Sequence, residues 1–239
     1  MPVRLFASDL DGTLLRRDGT ISERTRAAVD AAEAKGIGLV VATGRPPRWI
    51  PPVVEQLGER GLVVCANGAL VYDPARHELV ERFELDGAAV AEAAARVRAA
   101  VPKVGMAVER GFEFAIDDRY HELAQISGFV WDGPLEVGPI ESFCDGPITK
   151  MLVRIEDPAP DGFVDEVRSL VAGLADVTHS MSESFLELSR PGVHKASTVE
   201  HVIAESGVAA ADVVAFGDMP NDLELLRWAG LGVAVANAH

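Results

Sequence analysis

Short apolar runs alternate with amphipathic stretches along residues 3–66, and few folds accommodate such an order. The apolar runs have the length of buried strands, and the stretches between them carry helix signals such as Ser22 at the start and Gly36 at the end. The predicted strands are 3–8, 37–42 and 62–66, and the predicted helices are 22–35 and 46–58. Strands that alternate with helices form parallel sheets with right-handed crossovers, so we predict an α/β fold.

Residues 196–235 repeat this alternation, so we expect them to complete the same sheet. Between the two parts, residues 83–189 mix hairpin-like strands with two helices, a pattern typical of an α+β insert. These two helices are predicted at 88–100 and 163–174. We therefore predict one domain formed by residues 1–82 and 190–239 and a second domain formed by residues 83–189.

Local signals refine this division. The dipeptide Asn67-Gly68 predicts a hairpin turn after the third strand. Residues 120–143, in contrast, have no regular pattern. After the last predicted strand, at 231–235, no helix follows to cover the sheet, so we expect that a C-terminal element of the first domain is missing.

Acidic residues outnumber basic ones, with 37 Asp and Glu against 22 Lys and Arg and a formal net charge of −15. This balance argues against nucleic-acid binding, since clustered Lys and Arg bind phosphate backbones. It does not exclude an anionic small molecule, because a metal ion can reverse the local sign of charge. The sequence has neither a signal-peptide core nor an apolar run of membrane-spanning length, so we expect a cytoplasmic protein without a membrane partner.

Two carboxylates directly follow the first predicted strand, in the segment Asp9-Leu10-Asp11-Gly12-Thr13. The carboxyl ends of parallel strands are where α/β sheets bind ligands. Two aspartates spaced in this way can place one carboxylate and one backbone carbonyl on the same hard cation. An ordinary turn would explain the same residues, so this segment alone leaves both interpretations open.

Three further polar segments stand at comparable places. Thr43-Gly44-Arg45 follows the second strand, where a hydroxyl and backbone N–H groups can bind a phosphate, although a plain turn is the alternative. Lys195 opens a predicted helix, where a cation opposes the macrodipole unless an anion lies nearby, although a surface lysine is the alternative. The acidic run 217–222 follows another strand, and a helix N-cap is its alternative interpretation.

In this order, the four segments resemble the four motifs of the haloacid dehalogenase (HAD) superfamily of phosphotransferases. The interval between Thr43 and Lys195 is far longer than one βα unit needs, so the insert must follow the second motif. This placement resembles the Cof-type branch, which Asn67-Gly68-Ala69 and residues 192–195 also match. The resemblance implies a Rossmann-like HAD core with a parallel sheet and an inserted α+β cap domain.

The resemblance also implies roles for the acidic residues. Asp9 would be the nucleophile, and Asp11 would be the general acid and base. The cofactor would be Mg2+, held by Asp9, the backbone carbonyl of Asp11, and Asp218. Asp222 would orient Lys195 or a metal-bound water.

The remaining matched residues would bind the transferring phosphoryl group. Lys195 would pair with both Asp9 and the phosphoryl oxygens, and Thr43 would bind another oxygen. The other implied substrate-binding residues are Leu10, Gly44, Asn67 and Asn221.

The implied activity is that of a phosphoric monoester hydrolase, a Mg2+-dependent phosphatase of a small phosphorylated metabolite such as a sugar phosphate or a phosphorylated cofactor. Asp11 supports this prediction, because relatives that dehalogenate or pump ions lack the second aspartate. Two alternatives stay open, a phosphohexomutase of the phosphomannomutase type and a catalytically silent binding protein on this fold. The sequence does not indicate an oligomeric state.

Substrate specificity would lie in the cap. Charged and polar side chains of the insert are its candidate contacts, and we expect most of them to be ordinary solvated surface. These candidates are Glu109, Arg110, Asp117, Arg119 and His179.

Overall fold

The protein, in a computed structural model, is described over residues 2–126 and 134–239. The chain divides into two compact units, one formed by Met1–Arg82 with Val193–His239 and the other by Phe83–Gly192. None of the helices in the described ranges has the length and apolar composition needed to cross a lipid bilayer.

A seven-stranded sheet forms the centre of the first unit. Its strands are β1 (Leu5–Ser8), β2 (Gly38–Ala42), β3 (Val63–Cys65), β4 (Leu70–Asp73), β5 (Glu78–Arg82), β12 (Val213–Gly217) and β13 (Leu231–Ala234). Its helices are α1 (Glu23–Glu33), α2 (Pro51–Leu57), α6 (Lys195–Ile203) and α7 (Leu223–Trp228). The strand order is β13-β12-β1-β2-β3-β4-β5, with neighbouring strands parallel from β13 to β3 and antiparallel from β3 to β5. The predicted α/β class with a parallel sheet is confirmed.

Strand β2 shows why its sequence is continuously apolar. Leu39 and Val41 pack in the cluster that contains residues of α1 and α2. Val40 and Ala42 point the other way, into the cluster that contains residues of α6 and α7. Because helices cover both faces, every side chain of β2 after its first glycine is buried in an apolar layer.

The structure differs from the sequence predictions for this unit in three details. The helix predicted at 46–58 is a short 3-10 turn at Pro47–Trp49 followed by α2, because Pro51 at the first helical position starts a new helix. Strand β5 was not predicted, since four of its five residues are exposed and carry no apolar pattern. The hairpin after β3 is confirmed, although its turn spans Ala66–Gly68, with left-handed backbone at Ala66 and Asn67.

Over its described residues, the second unit contains a six-stranded sheet and three α-helices. The strands are β6 (Gly105–Arg110), β7 (Glu113–Ile116), β8 (Glu136–Val137), β9 (Lys150–Arg154), β10 (Asp176–Thr178) and β11 (Phe185–Ser189), and the helices are α3 (Gly87–Ala100), α4 (Asp118–Ile126) and α5 (Phe163–Leu170). The order is β10-β11-β9-β6-β7-β8, antiparallel except between β7 and β8.

Two apolar clusters cover this second sheet. The larger one joins α3 and α5 to side chains such as Met106 and Val153. The smaller one joins α4 to Ala107 and Leu152. These two residues are adjacent in sequence to Met106 and Val153, so their side chains point to the opposite face of the sheet. The prediction of two helices was therefore wrong, because α4 lies in the segment without a regular pattern. Residues 127–133 of that segment lie outside the described residues.

Candidate active site

Three neighbouring strands carry the predicted site residues to one edge of the first sheet. Strand β1 lies between β2 and β12, so Ser8 is paired with Val41 on one side and Phe216 on the other. The backbone N–H of Asp9 extends this pairing by donating to the carbonyl of Phe216 at 3.0 Å. The loops that follow the three strands are therefore adjacent, as expected at the carboxyl edge of a parallel sheet.

Lys195 joins two of these loops. Its side chain is only 1% exposed, and its Nζ lies 2.6 Å from both Asp9 Oδ1 and Asp222 Oδ1. Burial disfavours the charged ammonium, but the two carboxylates outweigh this effect and raise the pKa of Lys195 above its ordinary value. Lys195 is thus held as a cation between two acids.

The start of α6 fixes the place of this lysine. His194 Nδ1 accepts a hydrogen bond from the N–H of Ser197, and Ser197 Oγ accepts one from the N–H of His194. This reciprocal cap satisfies two N–H groups of the first helical turn. It thereby anchors the backbone from which Lys195 projects.

Asp222 has both carboxylate oxygens occupied. Oδ1 accepts from Lys195, and Oδ2 accepts from the N–H groups of Asp218 and Met219 at 3.0 and 3.1 Å. The residue is fully buried. Asp222 therefore holds both the lysine and the loop after β12.

Asp9 and Asp218 are the acids of this cluster that remain available to a cation. Oxygens of Asp9, Asp218 and Asp222 lie within 4.8 Å of one another, but both carboxylate oxygens of Asp222 already accept hydrogen bonds. Burial raises the pKa of Asp9 to about 6 despite the neighbouring Lys195, and burial also raises the pKa of Asp218. Three carboxylates around one ammonium carry a net negative charge, and their oxygens fit a hard cation such as Mg2+.

We call the carboxylates of Asp9 and Asp218, with the loops that carry them, the cation cradle. Gly12 lies against the Asp218 side of this cradle. Its backbone has φ +79°, and a Cβ built on it would lie 2.2 Å from Asp218 Oδ2. The next residue, Thr13, donates from Oγ1 to Asp218 Oδ1 at 3.1 Å. The turn after Asp11 is therefore packed directly against the Asp218 carboxylate.

Two buried side-chain amides, of Asn67 and Asn221, lie next to Gly44 in the loop after β2. Asn221 Nδ2 donates to Asn67 Oδ1 at 2.9 Å, and a Cβ on Gly44 would approach both side chains. Thr43, the residue before Gly44, is 1% exposed, and its backbone carbonyl accepts a hydrogen bond from the N–H of Asn67 at 3.0 Å. Within the described part of the chain, Asn67 Nδ2 and Asn221 Oδ1 have no hydrogen-bond partner although both are buried. Buried polar groups of this kind are what a ligand with acceptor and donor atoms would satisfy.

The turn that carries Asn67 is locked onto the start of α6. Thr198 Oγ1 donates to the carbonyl of Gly68 at 2.8 Å. A Cβ on Gly68 would lie 2.6 Å from the carbonyl oxygen of His194, so only glycine permits this approach. The contact fixes Asn67 relative to Lys195.

Asp11 points away from the buried cluster. Its side chain is 58% exposed, and both carboxylate oxygens accept hydrogen bonds from Arg45, at 2.7 Å from Nε and 2.6 Å from Nη2. Leu10, between the two aspartates, buries its side chain in the apolar core. The structure thus brings together the other acidic residues of the prediction but turns this carboxylate toward Arg45.

The candidate contacts of the insert are less exposed than we expected. Glu109 and His179 are buried, and Arg110, Asp117 and Arg119 are half-buried. The expectation of ordinary solvated surface was therefore wrong for this set, because each residue lies on or beside the second sheet.

Sequence reasoning missed several polar residues with defined contacts. Thr13 and Arg45 lie inside the predicted motifs but were given no role. Asn237, whose Nδ2 donates to the carbonyl of Gly12 at 2.9 Å, lies just after β13. Its position after a strand at the same sheet edge is the signal that could have indicated it.

Known proteins resemble this chain over nearly its whole length. A model of the haloacid dehalogenase-like hydrolase family matches residues 6–239. The chain belongs to that family. The match spans the two strand-end acidic segments and everything between them, as the motif resemblance predicted.

Individual members of the haloacid dehalogenase-like hydrolase family match nearly the whole chain. A 5-amino-6-(5-phospho-D-ribitylamino)uracil phosphatase, YcsE of Bacillus subtilis, is 28% identical over 99% of this chain and 85% of its own length. An HMP-PP phosphatase of Serratia proteamaculans is 26% identical over 98% of this chain and 84% of its own length. The crystal structure of a haloacid dehalogenase-like hydrolase from Bacteroides thetaiotaomicron has a TM-score of 0.79 at 26% identity, covering 99% of this chain and 90% of that one.

Proposed function

We propose that this chain is a Mg2+-dependent phosphomonoesterase that hydrolyses a small phosphorylated metabolite through an aspartyl-phosphate on Asp9. The observation that carries the proposal is the buried Lys195, held between Asp9 and Asp222 beside Asp218. This arrangement combines a fixed carboxylate nucleophile, a fixed cation and oxygen ligands for a metal. The names of the two relatives, both phosphatases of small molecules, support the same class of reaction.

In the first step, a carboxylate oxygen of Asp9 attacks phosphorus, and the bond from phosphorus to the ester oxygen breaks. Mg2+, held by Asp9, the carbonyl of Asp11 and Asp218, would screen the repulsion between the carboxylate and the phosphate dianion. Lys195 neutralises charge on the phosphoryl oxygens as they move toward Asp9. Thr43 and Asn67 Nδ2 bind the remaining oxygens, which would satisfy this unpaired amide donor. The unpaired Asn221 Oδ1 is an acceptor, so it would bind a hydroxyl or water hydrogen of the substrate complex.

Asp11 carries the proton in the first step and in the second step, the hydrolysis of the aspartyl-phosphate. It protonates the leaving alkoxide, and then it takes a proton from the water that attacks phosphorus and frees Asp9 and inorganic phosphate. In the structure Arg45 occupies both oxygens of the Asp11 carboxylate. The proposal therefore requires Asp11 to turn away from Arg45 when substrate binds.

The direct test measures phosphate release from a panel of phosphorylated metabolites, with Mg2+ and with EDTA. The panel includes sugar phosphates, phosphorylated cofactors and the compounds that the two relatives are named for. We expect release that depends on metal and disappears in Asp9→Asn. No release from any compound would contradict the proposal and lead to the phosphohexomutase alternative, tested with a hexose bisphosphate present.

A second variant tests the role of Asp11. Asp11→Asn keeps the backbone carbonyl, so we expect it to retain Mg2+ binding, measured by calorimetry. We expect its rate of hydrolysis to fall by about 100-fold to 10,000-fold, since it cannot carry the proton. Turnover at the wild-type rate would disprove the acid and base assignment.

A further inference from the structure

Residues that follow β13 contact both loops of the cation cradle. The N–H of Val235 donates to the carbonyl of Gly217 at 3.2 Å, and the N–H of His239 donates to the carbonyl of Asp218 at 2.8 Å. The backbone thus extends the pairing of β13 with β12 as far as the acidic loop. The side chain of Asn237 reaches the other loop, which follows β1.

Asn237 braces the turn that follows Asp11. Its Nδ2 donates to the carbonyl of Gly12 at 2.9 Å. A Cβ on Gly12 would lie 3.4 Å from the same Nδ2 and 2.2 Å from Asp218 Oδ2, so the amide and the carboxylate lie on one side of this residue. The carbonyl of Gly12 belongs to the peptide that leads directly to Thr13, which donates to Asp218.

A chain of contacts therefore runs from Asn237 through Gly12 and Thr13 to the carboxylate of Asp218. At the same time the backbone of His239 holds the carbonyl of Asp218. The two loops that supply the oxygen ligands are thereby fastened to the same short segment. Metal sites depend on such supporting contacts, because ligands must keep a set spacing when the cation binds.

We propose that Asn237 is a positioning residue for the divalent metal site: by fixing the Gly12 carbonyl, it sets the spacing between the loop of Asp9 and the carboxylate of Asp218. The inference rests on the proposed function, because it requires that these residues bind Mg2+. The side-chain hydrogen bond of Asn237 goes to a backbone carbonyl and not to a ligand carboxylate, so its loss should change the affinity for the cation through the spacing of the ligands.

The test is a titration with Mn2+, followed by electron paramagnetic resonance in the absence of substrate, on wild type, Asn237→Ala and Asn237→Leu. Leucine keeps the branch of asparagine at Cγ but has no donor, so it helps to separate the hydrogen bond from the loss of side-chain contacts in Asn237→Ala. Ala236→Ser is the control, because it changes an exposed side chain of the same segment. Urea denaturation in EDTA measures the stability of each metal-free protein.

We expect both Asn237 variants to bind Mn2+ on the order of tenfold more weakly than wild type. The hydrogen bond is exposed, so their metal-free stability should stay within about 0.5 kcal/mol of wild type. Ala236→Ser should keep wild-type affinity. Unchanged affinity in Asn237→Ala, or full affinity in Asn237→Leu, would overturn the inference. Failure of the wild-type protein to bind Mn2+ would instead overturn the metal site of the proposed function.

Discussion

Gly12 and Asp218 approach each other so closely that a single added methyl group would separate them. Gly12 has a left-handed backbone conformation, with φ +79°, and the position of its absent Cβ faces Asp218 Oδ2. Gly19 has nearly the same backbone, at φ +77°, but nothing lies within 4 Å of the position of its absent Cβ. The two glycines therefore differ in surroundings and not in conformation.

This difference predicts two separable effects. Gly19→Ala should lose about 1 kcal/mol of stability, measured by urea denaturation, because alanine disfavours left-handed backbone. Gly12→Ala should lose at least as much, because its Cβ must also displace Asp218. Only Gly12→Ala should move Asp218, so only this variant should bind Mg2+ about tenfold more weakly or worse in calorimetry. Equal metal affinity in the two variants would show that the cradle does not depend on this contact.

The sequence predicted which residues would meet at this site better than it predicted what each would touch. Asp9, Thr43 and Asp218 come together because parallel strands end at one edge of a sheet, a rule that sequence order can apply. The pairing of Asp11 with Arg45 depends on which way two side chains turn, and no pattern in the sequence fixes that. The roles of these residues stay predictions until the variants are measured.

At the scale of elements, the second sheet buries a row of charges. Lys150 on β9 lies opposite Glu109 on β6, and its Nζ is 2.7 Å from Glu187 Oε1 on β11. The distance from Nζ to Glu109 Oε2 is 3.7 Å, and all three side chains are at most 4% exposed. The ammonium of Lys150 thus lies between two buried carboxylates, one on each of the strands that flank β9.

Removal of this cation should destabilise the second unit. We expect Lys150→Met to cost about 3–5 kcal/mol, because it leaves two buried carboxylates without their ammonium partner. Lys103→Met, at an exposed lysine of the same unit, is the control and should change stability by less than about 0.5 kcal/mol. Urea denaturation followed by circular dichroism measures both, and similar stabilities would mean that solvent reaches the row.

Elements with an apolar pattern were predictable, and elements without one were not. Helix α4 has three buried residues, Tyr120, Leu123 and Ala124, spaced within one turn of polar sequence. Strand β5 has no buried residue and is held by its pairing with β4. Both depend on contacts with distant elements, which local pattern does not contain.

For the whole molecule, the net charge of −15 decides how salts act on stability. Mutual repulsion of acidic groups weakens the compact state, and any salt screens it. A cation bound at the cradle adds a separate stabilisation, which depends on its concentration relative to its dissociation constant. That each of the two units is a domain able to fold alone remains a prediction.

These two effects can be separated by melting the protein in NaCl and in MgCl2 at equal ionic strength. At a Mg2+ concentration 100 times its dissociation constant, binding adds about 2.7 kcal/mol. For a chain of this length, that corresponds to a Tm about 5–10 °C higher in MgCl2 than in NaCl. In Asp218→Asn the difference between the salts should largely disappear while the shared effect of screening stays. The same difference in both proteins would mean that Mg2+ acts on the acidic surface as a whole, since the variant lacks one of the two carboxylates that remain available to the cation.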